Sequence, residues 1–149
     1  MGEERPLLVR DVMVSDPVTV PPNTSVREIA KIMKEKNIGS VIVVENDRMV
    51  GIVTEEDLIR RVLAEGKDPE RTRAADVMTR PVVYVSPDTE LKEAALLMAR
   101  LGIGHLPVVE GSRVVGIIAE YDIVRLTPEL IELLYVKGKL GSSETMELG

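Results

Sequence analysis

The residues Val50-Gly51-Ile52-Val53-Thr54-Glu55-Glu56-Asp57 run an apolar strand pattern straight into a helix start that carries a hydroxyl and a carboxylate. Backbone N–H groups in the first turn of a helix have no intrahelical partners, and together with the macrodipole they attract phosphate. A carboxylate beside them works against phosphate, but it accepts hydrogen bonds from both hydroxyls of a ribose. One such segment could grip ribose and phosphate together. The same residues also have a purely structural use. Thr54 followed three residues later by Asp57 is close to a capping box, in which the threonine caps the helix and the acid reaches back.

No catalytic constellation accompanies this segment. His105 is the single histidine, cysteine is absent, and no P-loop or dinucleotide fingerprint occurs. The plentiful carboxylates fall on helix faces or in turns, where solvated charge is the simpler use. The chain is therefore expected not to be an enzyme, with no catalytic residues, no metal site and no tightly held cofactor.

The elements that position the segment occur twice. Shifting residues 11–60 by 65 positions onto 76–125 gives 22 identities in 50 aligned positions. Asp11-Val12-Met13 matches Asp76-Val77-Met78, Ile38-Gly39 matches Ile103-Gly104, and Val50-Gly51-Ile52 through Asp57 matches Val115-Gly116-Ile117 through Asp122. Two copies of this length are too few for a solenoid, so two half-domains closing one core are expected. Any cleft between them would occur twice about an approximate two-fold axis.

Within each copy an extended segment comes first, Val18 to Val20 or Val83 to Val85. An amphipathic helix follows, with Val26, Ile29, Ala30 and Met33 in one copy and Leu91, Ala94, Ala95 and Met98 in the other at helical spacing. Ser25 with Glu28 reads as a capping box, and left-handed caps are expected near Asn37 and Gly102. Two apolar runs around Glu45-Asn46-Asp47-Arg48, or around Glu110-Gly111-Ser112-Arg113, read as hairpins, each followed by a short closing helix. The expected fold class is mixed α/β (α+β): two β-α-β-β-α repeats packed with pseudo-two-fold symmetry, small sheets with flanking helices. The expected boundaries are 8–63 for the first repeat, 64–75 for a solvated linker, 76–126 for the second repeat, and 127–149 for a C-terminal helix and frayed tail.

Composition narrows the function. The 149 residues suit one compact body with a sizeable core, and 44% hydrophobic with 30% charged residues is a globular balance. No apolar run approaches the roughly 18 residues of a membrane span, and the polar N-terminus shows no secretion signal, so a soluble, cytoplasmic protein is expected. A net charge of -6, with 19 basic residues scattered among 25 acids, argues against nucleic acid as partner.

Taken together, the Asp-Val-Met opening, the segments Ile-Gly-Ser-Val-Ile-Val-Val and Ile-Gly-His-Leu-Pro-Val-Val, and the endings Gly-Ile-Val-Thr-Glu-Glu-Asp and Gly-Ile-Ile-Ala-Glu-Tyr-Asp resemble the CBS domain family, whose tandem pair is called a Bateman module. The resemblance covers about residues 8–126. It implies a regulatory module that binds adenine-containing ligands, AMP, ADP, ATP or S-adenosylmethionine, in clefts between the repeats, with AMP the first choice. Carried over by that resemblance, one cleft joins Thr54 and Asp57 to Thr79, Val83, Tyr84, Ile103, Gly104, His105 and Pro107. The other joins Ala119 and Asp122 to Val18, Thr19, Ile38, Gly39, Ser40 and Ile42.

The first cleft is favoured, because Ala119 lacks the hydroxyl of Thr54, while His105 and Pro107 stand where the other copy has Ser40 and Ile42. His105 would make phosphate affinity sensitive to pH, or be partly exposed with no ligand role. Arg60 and Arg125 could add phosphate charge, or simply lie on solvated helix faces. The resemblance also implies a homodimer, with Leu58, Ile59, Ile123 and Val124 as contacts, and output through an unknown regulated protein or through self-association. The alternatives are an interaction scaffold whose clefts stay empty, or an S-adenosylmethionine sensor.

Overall fold

The computed structural model describes residues 5–134. In chain order they form α1 (Val9–Val12), β1 (Val14–Ser15), β2 (Thr19–Val20), α2 (Val26–Lys36), β3 (Ser40–Glu45), β4 (Arg48–Thr54) and α3 (Glu55–Leu58), which continues as a π-helical turn, Ile59–Leu63. Next come α4 (Ala74–Val77), α5 (Leu91–Leu101), β5 (His105–Glu110), β6 (Arg113–Ala119), α6 (Glu120–Leu126) and a 3-10 turn, Pro128–Leu130. Small sheets with flanking helices make this a mixed α/β fold.

The described residues divide into two compact units whose borders do not follow the duplication: one takes 17–83 with 111–114, the other 5–16, 84–110 and 115–134. Each has its own buried cluster, so the expectation of a single shared core gives way to two. In the first unit Val26, Ile29 and Met33 of α2 pack with Val41, Val43 and Val53 and with Ala74, Val77 and Met78, which belong to the opening of the second copy. In the second unit Leu91, Ala94, Ala95 and Met98 of α5 pack with Leu106, Val108, Ile118 and Ile123 and with Val9 and Val12 from the opening of the first copy. The opening segments have thus exchanged places.

Two features of the duplicated motif explain why they lodge there. Asp11 and Asp76 each accept the backbone N–H that starts their short helix, Leu8 N and Arg73 N, at 2.8 Å in both cases. The methionine that follows then covers a glycine on a strand. A Cβ on Gly51 would stand 2.6 Å from Met78 Cγ, and one on Gly116 would stand 2.7 Å from Met13 Sδ. A side chain there would force the covering methionine to move from the strand. Reciprocal backbone bonds complete the seam, Thr79 N to Ile52 O at 2.8 Å and Ile52 N to Thr79 O at 3.2 Å, and β1 pairs antiparallel with β6.

Local expectations meet mixed outcomes. Asn37 and Gly102 cap α2 and α5 in the left-handed region, with φ of 54° and 67°. Ser25 accepts from Glu28 N at 3.1 Å, and Asn46 and Asp47 turn the first hairpin with positive φ. The extended segment expected at Val83 to Val85 is reduced to a bridge between Val85 and Val108. In the first copy Ile42 N donates to Val18 O at 3.1 Å. The matching donor position in the second copy is Pro107, which has no N–H, so that rung cannot form.

The stretch 64–75 is not merely a solvated linker. Thr72 and Ala74 are buried, Val26 N donates to Thr72 O at 2.9 Å and Arg27 N to Pro69 O at 3.1 Å, so the stretch closes the start of α2. After α6, Pro128 takes the first position of its turn as expected, and residues 131–134 are helical. Leu134 enters the second cluster, with Leu130 and Leu133 against it. The frayed end expected of the 127–149 segment falls beyond residue 134, outside the described residues.

Candidate functional site

β4 is buried from Gly51 to Val53 and ends at Thr54, whose extended backbone lets it cap α3. Thr54 Oγ1 accepts from Asp57 N at 3.3 Å, while Asp57 Oδ2 accepts from Thr54 N at 2.9 Å and from Thr54 Oγ1 at 3.2 Å. The capping box is therefore formed in full. It holds the carboxylate in place, and Asp57 as a whole is only 7% exposed.

The exchanged opening segment adds a second hydroxyl to this carboxylate. Thr79 Oγ1 donates to Asp57 Oδ1 at 3.0 Å and lies 3.3 Å from Oδ2. Thr54, Asp57 and Thr79 thus meet at one point, and Val83 lies further along in the same unit, exposed.

Arg61 is the residue that sequence reasoning missed. Its Nε lies 3.7 Å from Asp57 Oδ1, and its Nη1 donates to the carbonyls of Val77 and Met78 at 3.2 and 3.3 Å. It ties the helix that carries Asp57 to the segment that carries Thr79. The signal was the i, i+4 spacing of Asp57 and Arg61, masked because the duplication drew attention to Arg60 and Arg125. Arg60 is exposed on the π-helical turn.

In the second copy Asp122 is also buried and accepts from Ala119 N at 3.1 Å, with Arg125 Nη2 at 3.9 Å from its Oδ1. Ala119 offers no hydroxyl, and the place of Thr79 is taken by Val14. Tyr84, Ile103, Gly104, His105, Pro107, Ala119 and Asp122 belong to the second unit. There Tyr84 is exposed, Ile103 packs partly against the core, Gly104 O accepts from Glu120 N at 2.8 Å, His105 opens β5 and Pro107 is buried in it. Val18, Thr19, Ile38, Gly39, Ser40 and Ile42 belong to the first unit, with Ser40 and Ile42 buried in β3, Thr19 exposed in β2, and Gly39 O accepting from Glu55 N at 3.0 Å.

Of the residues expected at a dimer contact, Ile123 is fully buried and Leu58 packs against its unit's core. The helix period turns both inward, which leaves Ile59, 57% exposed, and Val124, 37% exposed. Among the described residues no helix is long and apolar enough to cross a membrane.

Comparison with known proteins identifies the family. The CBS domain family matches residues 9–64 and 74–129. An uncharacterized protein of Methanopyrus kandleri, MK0525, is 40% identical over 129 residues, covering 85% of this chain and 66% of its own length. The CBS domain-containing protein YhcV of Bacillus subtilis is 36% identical over 115 residues, covering 77% and 81%. Among solved structures, the CBS domain pair of protein MJ0100 in complex with 5′-methylthioadenosine and S-adenosyl-L-methionine superposes with a TM-score of 0.76 at 33% identity, over 84% of this chain and 98% of that one. The chain belongs to the CBS domain family and carries a pair of these domains.

Proposed function

We propose that this CBS pair senses adenine nucleotides, AMP before ADP and ATP, with the ribose held by Asp57, and that it performs no chemistry of its own. The observation that carries this reading is a buried carboxylate held by Thr54 and faced by the hydroxyl of Thr79, in a chain 33% identical to a CBS pair bound to adenosine-containing molecules. Ribose supplies two vicinal donors, and a carboxylate is the one side chain that accepts both without a donor of its own. The remaining candidates of the favoured cleft, Val83, Tyr84, Ile103, Gly104, His105 and Pro107, are carried by the family resemblance alone.

Bound ligand acts through its differential affinity for two states of the module, and the output passes to a regulated protein or to self-association in the cytoplasm. A panel of AMP, ADP, ATP and S-adenosylmethionine in a thermal-shift assay tests the reading. A ligand present at 100 times its dissociation constant stabilises by about 2.7 kcal/mol. No shift with any of them would leave the interaction scaffold, which the completed capping box at Asp57 favours. A shift with S-adenosylmethionine alone would favour the second reading, which the ligands of MJ0100 support.

A further inference from the structure

Asp57 is not an open acceptor. A carboxylate offers about four lone-pair positions. Thr54 N and Thr54 Oγ1 engage Oδ2 at 2.9 and 3.2 Å, and Thr79 Oγ1 engages Oδ1 at 3.0 Å and leans toward Oδ2 at 3.3 Å. A vicinal diol needs two positions, so one of these donors must leave. The Thr54 N–H is held by the backbone that starts α3, and turning Thr54 Oγ1 away would also give up the bond it accepts from Asp57 N. Thr79 lies on an exposed stretch, and rotation about its χ1 is enough to withdraw its hydroxyl.

We propose that Thr79 is an affinity-setting residue, a built-in competitor whose hydroxyl occupies the ribose acceptor of Asp57 until a diol displaces it. This rests on Asp57 being the ribose acceptor. The opening segment that carries Thr79 is clamped through the Val77 and Met78 carbonyls by Arg61, so the competing hydroxyl is delivered at high local concentration. The second copy has Val14 at this position and lacks the competitor, so the two carboxylates are set to different thresholds for the same ligand.

Calorimetric titration of adenosine, which has the diol and no phosphate, tests the proposal in protein carrying Asp122→Ala, so that Asp57 is the acceptor observed. Thr79→Val should tighten adenosine binding by about threefold to tenfold, the equivalent of one net hydrogen bond. Thr79→Ser, which keeps the hydroxyl, should lack that gain, and adding Asp57→Ala should abolish it. Thermal melts check that each variant is folded, and the exposed position of Thr79 tolerates either side chain. Unchanged or weaker binding by Thr79→Val overturns the competitor while leaving Asp57 as acceptor. Absence of binding in the parent and in Thr79→Val alike overturns the ribose reading of Asp57, and the competitor with it.

Discussion

Asp57 closes the start of α3 and is, in the function proposed above, the acceptor for a ribose, and the two uses demand different things of its oxygens. Oδ2 is committed to the cap, so under that proposal ligand recognition falls chiefly on Oδ1. Asp57→Ala is expected to weaken AMP binding by about tenfold to a hundredfold, the usual cost of a lost hydrogen bond to a charged group, and Asp122→Ala far less. Calorimetry on the two variants decides between the clefts, and equal losses would remove the preference for Asp57. Thr54→Ala separates cap from ligand. It should cost about 1 kcal/mol of stability in urea titration, and the same variant should lose affinity only if the hydroxyl also meets the ligand.

The glycine of β4 and the methionine that follows α4 form a single device. Neither makes sense alone: Gly51 weakens a strand, and Met78 would be an ordinary apolar residue. With Met78 folded over Gly51, the strand surface becomes a seat for the segment that brings Thr79 to Asp57. Gly51→Ala is expected to destabilise the protein by about 1–3 kcal/mol, as overpacking in a core does. Denaturation of the Gly51→Ala, Met78→Ala double variant should show part of that loss restored, because the two changes share one contact. The second hairpin carries the same pair as Met13 on Gly116, and the copies part company at Pro107, where the missing N–H shortens the extended pairing to Val85.

Whole-chain organisation turns on the exchange of opening segments. A fragment cut to the first family match, residues 9–64, lacks Ala74, Val77 and Met78, whereas residues 17–83 contain every member of the first unit's buried cluster. Residues 17–83 are therefore expected to unfold cooperatively in a thermal melt, and residues 9–64 to show no transition. Comparable cooperative melts from both would mean that the exchanged segment is dispensable. Self-association is testable on the exposed apolar residues of the closing helices: if the module dimerises through them, Ile59→Asp together with Val124→Asp should give a monomer in sedimentation. An unchanged sedimentation coefficient would place the contact elsewhere.

Much of this was written in one dimension. Helical spacing placed α2 and α5, Asn37 and Gly102 marked their ends, and the Thr54–Asp57 spacing foretold a capping box, because each depends on residues within one or two turns of each other. Comparing the copies also singled out Thr54 against Ala119 before any geometry was known. What the linear pattern did not reveal were contacts between distant segments: two buried clusters in place of one, 64–75 closing the start of α2, Ile123 turned inward, and Arg61 converging on Asp57, while Thr79 was joined to Asp57 only through the family resemblance. The duplication itself hid the exchange, since an opening segment that matches its counterpart at Asp, Val and Met carries no mark of which copy it will join. Tertiary packing made that choice by seating Met78 on Gly51 and Met13 on Gly116, and the seat at Gly51 is what brought a threonine hydroxyl to the carboxylate.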